Sequence, residues 1–258
     1  MTAGRKAIAV FGAGGFGMEV AMLVEQINER EPQWEVVGFF DDGEPEGKRI
    51  NGYPVLGGID ALNGWPSELH VVLALGMPQT KCAVHQKIYN PNILYPVLIH
   101  PSVILGKREY VAVGEGSIIC AGTVITTNIS IGRHVIVNLC CTIGHETEIG
   151  DYSSFMPTCN ISGEVQIGKA TYWGTGAKVI NGKTIGDNAV VGAGAVVVQD
   201  LPADVTAVGV PAKVIKGPAP REAASLAAHL EPGAGFTPGP QPPHPTCLLS
   251  SSTMKPGR

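Results

Sequence analysis

The sequence has no excess of basic residues, since 18 Lys and Arg stand against 22 Asp and Glu, for a net charge of -4. Without a positive field to attract a phosphate backbone, nucleic acid is not an expected partner. The six cysteines form no Cys-x-x-Cys pair, and we expect them to be reduced thiols in a cytoplasmic protein. No apolar run approaches the roughly 20 residues that span a bilayer, so no insertion into a membrane is expected.

Aromatic residues are also scarce, at 6% of the chain, whereas 34 glycines and 20 prolines are present. Such a composition is typical of a fold with many turns and small interior side chains. The 258 residues and the 44% hydrophobic content suffice for one large domain or two modest ones.

The N-terminal segment alternates between strand and helix patterns. Strands are predicted at residues 6–11, 35–40 and 70–75, and helices with helical apolar spacing at residues 18–29 and 79–89. This alternation predicts a small, Rossmann-like parallel α/β sheet, to which we assign residues 1–99.

From about His100 onward, a six-residue period replaces the helical spacing. An apolar residue stands at every sixth position without a gap; these residues are Val113, Ile119, Ile125, Ile131, Val137, Ile143, Ile149, Phe155, Ile161, Ile167, Trp173, Val179, Ile185, Val191 and Val197. Four positions later small side chains predominate, as a narrow coil interior requires; they are Ser117, Thr123, Cys141, Thr147, Ser153, Cys159, Thr171, Ala177, Ala189 and Ala195. The pattern predicts a parallel β-helix over residues 100–216.

The last segment, residues 217–258, is rich in Pro, Gly and Ser. Apart from a short helical pattern near residues 222–230, we expect this tail to be disordered, because it cannot bury enough surface to offset its ordering entropy.

One departure from the repeat carries ionisable side chains. His145 and Glu146 stand at a corner where the other repeats have small or apolar residues, and Asn138 precedes the histidine by seven positions. An imidazole can accept a proton from an amine or hydroxyl, and a neighbouring carboxylate can orient it and raise its basicity. A histidine in a repeat protein is more often an exposed corner residue, so the pattern alone leaves both interpretations open.

Three stretches together resemble the hexapeptide-repeat sugar acetyltransferases of the sialic-acid and nucleotide-amino-sugar type. They are the segment NLCCTIGHETEIGDYSSFMPTCNISGEVQIG (residues 138–168), the segment LIHPSV (98–103) and the segment GVPAK (209–213). The resemblance covers about residues 6–216 and implies a left-handed β-helix. It implies that His145 is the general base, that Glu146 increases its basicity, and that Asn138 lies beside the acceptor sugar.

The same resemblance implies acetyl-CoA as co-substrate, bound in a groove between adjacent subunits of a homotrimer. The implied contacts are Ser154, Gly163, Thr175 and Ala193, largely through the backbone. A backbone N–H at Gly163 would suit the oxyanion of the tetrahedral intermediate. No metal is expected.

The glycine turn after the first strand admits two interpretations. Gly12, Gly14 and Gly17 satisfy G-x-G-x-x-G, with Asp41 after the next strand, which also fits a dinucleotide site. Against the dinucleotide interpretation, only about ninety residues precede the β-helix. They can form one of the two mononucleotide-binding halves of such a domain, but not both.

The resembling family instead holds a nucleotide diphosphate at this place. The residues implied to bind it here are Gly14, Gly15, Asp41, Asp42 and Gly76, at the carboxyl ends of parallel strands where ligands collect. Many relatives carry histidine where this chain has Phe16, which leaves the identity of the acceptor open.

The function we predict is acetyl-CoA-dependent N-acetylation of a UDP-, GDP- or dTDP-linked deoxy-amino sugar used for surface glycans. Two alternatives stay open at this stage. The first is O-acetylation of sialic acid or a related hydroxyl, because the same base serves either nucleophile. The second is a non-catalytic nucleotide-binding scaffold.

Overall fold

The computed structural model describes residues 4–217, so the predicted disorder of the tail and its helical pattern lie outside the described residues. The N-terminal part holds three helices and six strands, in the order β1 (Lys6–Phe11), α1 (Gly15–Arg30), β2 (Trp34–Phe40), β3 (Arg49–Ile50), β4 (Tyr53–Pro54), α2 (Ile59–Asn63), β5 (Leu69–Leu73), α3 (Pro78–Lys87) and β6 (Ile93–Leu94).

Four of these strands form the predicted parallel sheet, in the order β2-β1-β5-β6. The sheet confirms the predicted α/β class. The helix α1 begins three residues before the predicted start because Gly14 already serves as its N-cap. No second mononucleotide half stands among the described residues, because the chain enters the β-helix directly after β6. This argues against the dinucleotide interpretation of the glycine turn.

The remaining strands are short and evenly spaced along the chain. They are β7 (Leu98–Ile99), β8 (Ile104–Leu105), β9 (Val111–Val113), β10 (Ile118–Ile119), β11 (Val124–Ile125), β12 (Ile129–Ile131), β13 (Ile136–Val137), β14 (Thr142–Ile143), β15 (Glu148–Ile149), β16 (Ser154–Phe155), β17 (Asn160–Ile161), β18 (Gln166–Ile167), β19 (Tyr172–Trp173), β20 (Lys178–Val179), β21 (Thr184–Ile185), β22 (Val190–Val191), β23 (Val196–Val197), β24 (Thr206–Val208) and β25 (Lys213–Lys216).

These strands form the three faces of a left-handed parallel β-helix. The first face is β25-β24-β22-β19-β16-β13-β10-β7, the second is β23-β20-β17-β14-β11-β8, and the third is β21-β18-β15-β12-β9. Through most of the coil each strand pairs with its counterpart three strands further along, as Thr142 pairs with Asn160. The final strand β25 is antiparallel to β24.

The interior of the coil confirms the six-residue register. From Ile119 to Val197 every predicted apolar position is buried, and Val113 packs against the same core at the open end. The small residues four positions later are buried as well. Phe155 and Trp173 stack one above the other, with ring centroids 5.6 Å apart.

The glycines that follow the apolar positions are needed because the next coil packs too closely for a side chain, not because of their backbone torsion angles. A Cβ on Gly144 would lie 2.5 Å from the backbone nitrogen of Gly163, which belongs to the following coil. The left-handed backbone occurs two residues after Gly144, where Glu146 has a φ of 57°, and its counterpart Glu164 in the following coil has a φ of 61°. At this corner, Gly144 is required because no side chain fits there, whereas Glu146 is the residue that adopts the positive φ.

The N-terminal part covers the first face of the β-helix. Ile118 and Ile136 on the outer side of that face share one apolar cluster with α1. From α3, the side-chain nitrogen of Lys81 donates to Ser154 Oγ at 2.9 Å, and Lys81 is completely buried. Burial holds the pKa of Lys81 well below its usual value.

Among the described residues, no helix is long and apolar enough to cross a membrane.

Asp42 supports the loop that follows β2. Its Oδ1 accepts a hydrogen bond at 2.7 Å from the backbone N–H of Ile59, the first residue of α2. We expect Asp42→Ala to lower the free energy of unfolding by about 1 kcal/mol, because that N–H loses its acceptor. Asp42→Asn retains an acceptor oxygen and should lose less in a urea unfolding titration. Equal losses for both variants would contradict this capping role.

Candidate active site

The turn between β14 and β15 presents an imidazole and a carboxylate in contact. His145 Nδ1 lies 3.0 Å from Glu146 Oε2, and both side chains are about half exposed, at 56% each. In the tautomer whose Nδ1–H donates a hydrogen bond to the carboxylate, the lone pair of Nε2 is left free. The pair therefore has the arrangement of a general base with a carboxylate that orients it.

A third group, Glu164, completes the cluster from the next coil. Its backbone N–H donates to the carbonyl oxygen of His145 at 2.7 Å. One ligand atom from each of His145, Glu146 and Glu164 lies within 4.8 Å of the others, a set that could hold a divalent cation. Glu164 was not among the predicted site residues, although it occupies the place of Glu146 in the following coil. We call the turns that carry these residues and Gly163 the histidine corner.

Gly163 lies directly over the imidazole. A Cβ at this position would stand 2.5 Å from His145 Nε2, so the ring occupies the space that any other side chain would need. In the described part of the chain no acceptor is found for the Gly163 N–H. Gly163 and Nε2 of His145 therefore lie next to each other at the histidine corner.

The glycines of the turn after β1 are of two kinds: one is needed for packing, and two face open space. A Cβ on Gly17 would overlap the carbonyl of Gly12, so Gly17 is required for packing. In contrast, Gly14 and Gly15 are exposed at the N-terminus of the 16-residue helix α1, and an added Cβ on either would have none of the described atoms outside its own turn within 4 Å. The free N–H groups of a helix N-terminus attract phosphate.

Asp41 holds this turn in place. Its Oδ2 accepts from the Ala13 N–H at 2.8 Å, and its Oδ1 accepts from the Gly43 N–H at 2.8 Å. Both carboxylate oxygens thus already have backbone donors. Asp41 shapes the loop beside Gly14 and Gly15, in addition to any contact it makes with a ligand.

Gly76 and Asn138 lie where the sheet approaches the β-helix. A Cβ on Gly76 would lie 3.9 Å from Met156 Cε, at the corner between the first and second faces. Asn138 stands one coil below Met156 and is buried; its Oδ1 accepts from the Leu139 N–H at 2.7 Å. Phe16 on α1 and Leu139 belong to one apolar cluster. We call this corner, with Asn138 and Met156, the asparagine corner.

The four residues expected to contact acetyl-CoA do not lie together in one chain. Thr175 and Ala193 are exposed on the asparagine corner, whereas Gly163 is on the histidine corner. Ser154 is fully buried, and its hydroxyl accepts the hydrogen bond from Lys81. The burial of Ser154 contradicts the predicted contact with a cofactor. Its hydroxyl instead joins the helix α3 to the coil.

The functional residues form two groups separated by the second face. Gly76 adjoins the asparagine corner, while the histidine corner lies on the far side of β14. In a single chain the histidine corner and the asparagine corner therefore lie apart.

A second histidine of the coil, His134, lies in a different environment. It is 1% exposed, and neither ring nitrogen has a hydrogen-bond partner among the described residues. It stacks on Tyr152 with ring centroids 5.4 Å apart and packs against His85 at 4.3 Å. Burial first, then the nearby His85 and Lys81, lower the pKa of His134 to about 3. A ring so enclosed cannot receive a substrate proton.

A left-handed β-helix with a histidine and carboxylate at an open corner, joined to a nucleotide-type sheet, defines a hexapeptide-repeat acyltransferase. Comparisons with known proteins agree. Residues 7–88 match the PglD N-terminal domain family. The GDP-perosamine N-acetyltransferase of Escherichia coli O157:H7 is 30% identical over 212 residues, which cover 80% of this chain and 95% of that protein.

Two solved structures extend the similarity over the whole described fold. The acetyltransferase domain of PglB from Neisseria gonorrhoeae FA1090, in complex with acetyl coenzyme A, matches with a TM-score of 0.74 and 29% identity, covering 82% of this chain and 100% of that one. PerB from Caulobacter crescentus, in complex with CoA and GDP-perosamine, matches with a TM-score of 0.71 and 30% identity, covering 84% and 100%. The chain belongs to the hexapeptide-repeat sugar acetyltransferase family.

Proposed function

We propose that this protein transfers the acetyl group of acetyl-CoA to the amino group of a nucleotide-linked deoxy-amino sugar. The observation that carries the proposal is the histidine corner, where Nδ1 of His145 contacts Glu146 and Nε2 lies next to Gly163. The two structural relatives hold acetyl coenzyme A or CoA, and both are consistent with a thioester donor at this corner.

The reaction is a direct attack of the amine on the thioester carbonyl. As the N–C bond forms, Nε2 of His145 accepts a proton from the nitrogen, and Glu146 stabilises the imidazolium. The Gly163 N–H donates to the oxyanion of the tetrahedral intermediate, a contribution of roughly 3 kcal/mol for one such donor. The C–S bond then breaks, and the imidazolium protonates the sulfur to give the free thiol of CoA.

The N-terminal sheet supplies the nucleotide half of the site. Gly14 and Gly15 leave room for a diphosphate at the N-terminus of α1, with Asp41, Asp42 and Gly76 around it. Asn138 has a side-chain amide nitrogen available to the sugar, since its oxygen is held by Leu139. Two of the relatives named above, the Escherichia coli enzyme and PerB, act on or bind GDP-perosamine, so a GDP-linked amino sugar is the acceptor to test first.

A homotrimer would unite the two groups of residues. In a closed threefold assembly, the histidine corner of one subunit can face the asparagine corner of its neighbour. Such a groove would bring Gly163 of one chain towards Thr175 and Ala193 of the next, as binding of an extended CoA molecule requires. The proposed active site is therefore shared between subunits.

The proposal is tested by incubating the protein with acetyl-CoA and a panel of GDP-, UDP-, dTDP- and CMP-linked sugars. We expect release of CoA thiol in equal amounts with an N-acetylated nucleotide sugar, identified by mass and by its amide proton. Acetylation of a hydroxyl would support the O-acetyltransferase alternative. Binding of acetyl-CoA and a nucleotide sugar without thiol release would support a scaffold.

The mechanism needs no metal ion, although three ligand groups stand within 4.8 Å of one another at the histidine corner. We expect dialysis against EDTA to leave the rate of thiol release unchanged. Added Zn²⁺ should inhibit, because it would occupy the imidazole lone pair that accepts the proton. Loss of activity on chelation, restored by a divalent cation, would contradict the metal-free mechanism.

A further inference from the structure

The carboxylate of Glu164 has no partner that explains its position. In the described part of the chain it forms no ion pair and accepts no hydrogen bond, whereas Glu146 is engaged with His145. Its backbone is fixed by the hydrogen bond from its N–H to the carbonyl of His145 and by its left-handed φ of 61°. A fixed, exposed carboxylate thus stands beside the proposed base.

The positions that stack above and below carry no compensating charge. One coil below, Thr127 and Asn128 occupy these places, and one coil above, Asn181 and Gly182 do so. The histidine corner therefore brings two carboxylates within 4.8 Å of the base. One carboxylate suffices to orient the ring, so the second is available to a ligand.

We propose that Glu164 determines acceptor specificity, by binding the amino group of the acceptor as an ammonium and so favouring amines over hydroxyls. This inference rests on the proposed function and names the acceptor class for the same site. A cation is attracted to the anionic corner, whereas a neutral hydroxyl gains nothing from the second carboxylate. The corner is thus matched to N-acetylation.

The proton balance of the reaction fits this role. An ammonium must lose one proton before its nitrogen can attack, and the nitrogen loses a second when the amide forms. One proton leaves to solvent through His145 and the other ends on the CoA thiol, while the N–C bond replaces the C–S bond. Glu164 changes neither count; it concentrates the cationic acceptor next to the imidazole that deprotonates it.

The test compares Glu164→Gln with wild type in steady-state kinetics on the amino-sugar nucleotide. We expect KM for the amine to rise about fivefold at low salt with kcat changed less than about twofold, since one exposed charge pair is lost. The difference should shrink as NaCl is added, because the screening length of about 10 Å at 0.1 M salt shortens with rising ionic strength. Glu164→Asp should recover part of the affinity.

Glu115→Gln, at a different corner of the coil, is the matched control and should behave as wild type. A fall in kcat with unchanged KM, or no change at all, would overturn the specificity role. These outcomes are distinct from failure of the proposed function. If wild type acetylates no amino-sugar nucleotide, the proposed function fails; if wild type is active and Glu164→Gln has the same KM, the specificity inference alone fails.

Discussion

His145→Ala is expected to lower kcat for acetyl transfer by about 10²- to 10⁴-fold, the usual contribution of a general base. The variant loses the imidazole of the histidine corner, whose lone pair is proposed to accept the proton of the attacking amine. The imidazole is about half exposed, so its removal should leave no cavity in the core. Thiol release measured at saturating acetyl-CoA and acceptor gives kcat directly.

Two control experiments accompany this measurement. Glu146→Gln retains the ring but weakens its orientation, and should reduce kcat less than the alanine variant does. The melting temperature of His145→Ala should match wild type, which excludes unfolding as the cause. Turnover close to wild type in His145→Ala would show that another group accepts the proton.

The stability of the protein is expected to fall by about 2 to 3 kcal/mol between about pH 7 and pH 4.5, through protonation of His134 on unfolding. The pKa of His134 is lowered to about 3 in the folded chain against an ordinary 6.5. A depressed folded-state pKa means that the unfolded chain binds the proton more readily. The stabilisation is therefore complete above the unfolded pKa of 6.5 and is lost as the pH falls towards 3.

Urea unfolding at a fixed protein concentration, repeated across this pH range, measures the effect. His134→Asn is the matched variant, because asparagine tolerates the left-handed φ of 53° at this position and does not titrate. Whatever its absolute stability, its free energy of unfolding should depend less steeply on pH. His85 packs against His134, and burial lowers its pKa as well, so part of the slope should remain. Equal slopes for the two proteins would contradict this assignment of the pH dependence to His134.

The coil could be predicted in detail from sequence because each of its positions repeats. One apolar side chain every six residues specifies the interior, and the pairing of Thr142 with Asn160 follows from three such steps. The N-terminal sheet was predicted in its class and in three of its four strands; the two-residue strand β6 was missed. The short α2 and the β3–β4 hairpin were missed because elements of two to five residues have no measurable periodicity.

The site was predictable only where a residue broke the pattern. His145 and Glu146 could be singled out because they interrupt a corner, whereas the proximity of Glu164 to them could not, because they lie a full coil earlier in the sequence. The burial of Ser154 could not be predicted from the repeat, because it depends on the docking of Lys81 from α3.

The proposal that subunits share the active site is tested most directly by mixing two inactive variants. His145→Ala lacks the base; Gly15→Asp puts a carboxylate at the exposed N-terminus of α1, where it should repel a diphosphate without harming the helix. Each alone should be inactive. In trimers reassembled from equal amounts, one site in each mixed trimer joins an intact base to an intact nucleotide pocket, which predicts about a quarter of wild-type activity. No recovery in verified mixed trimers would show that a single chain supplies both halves.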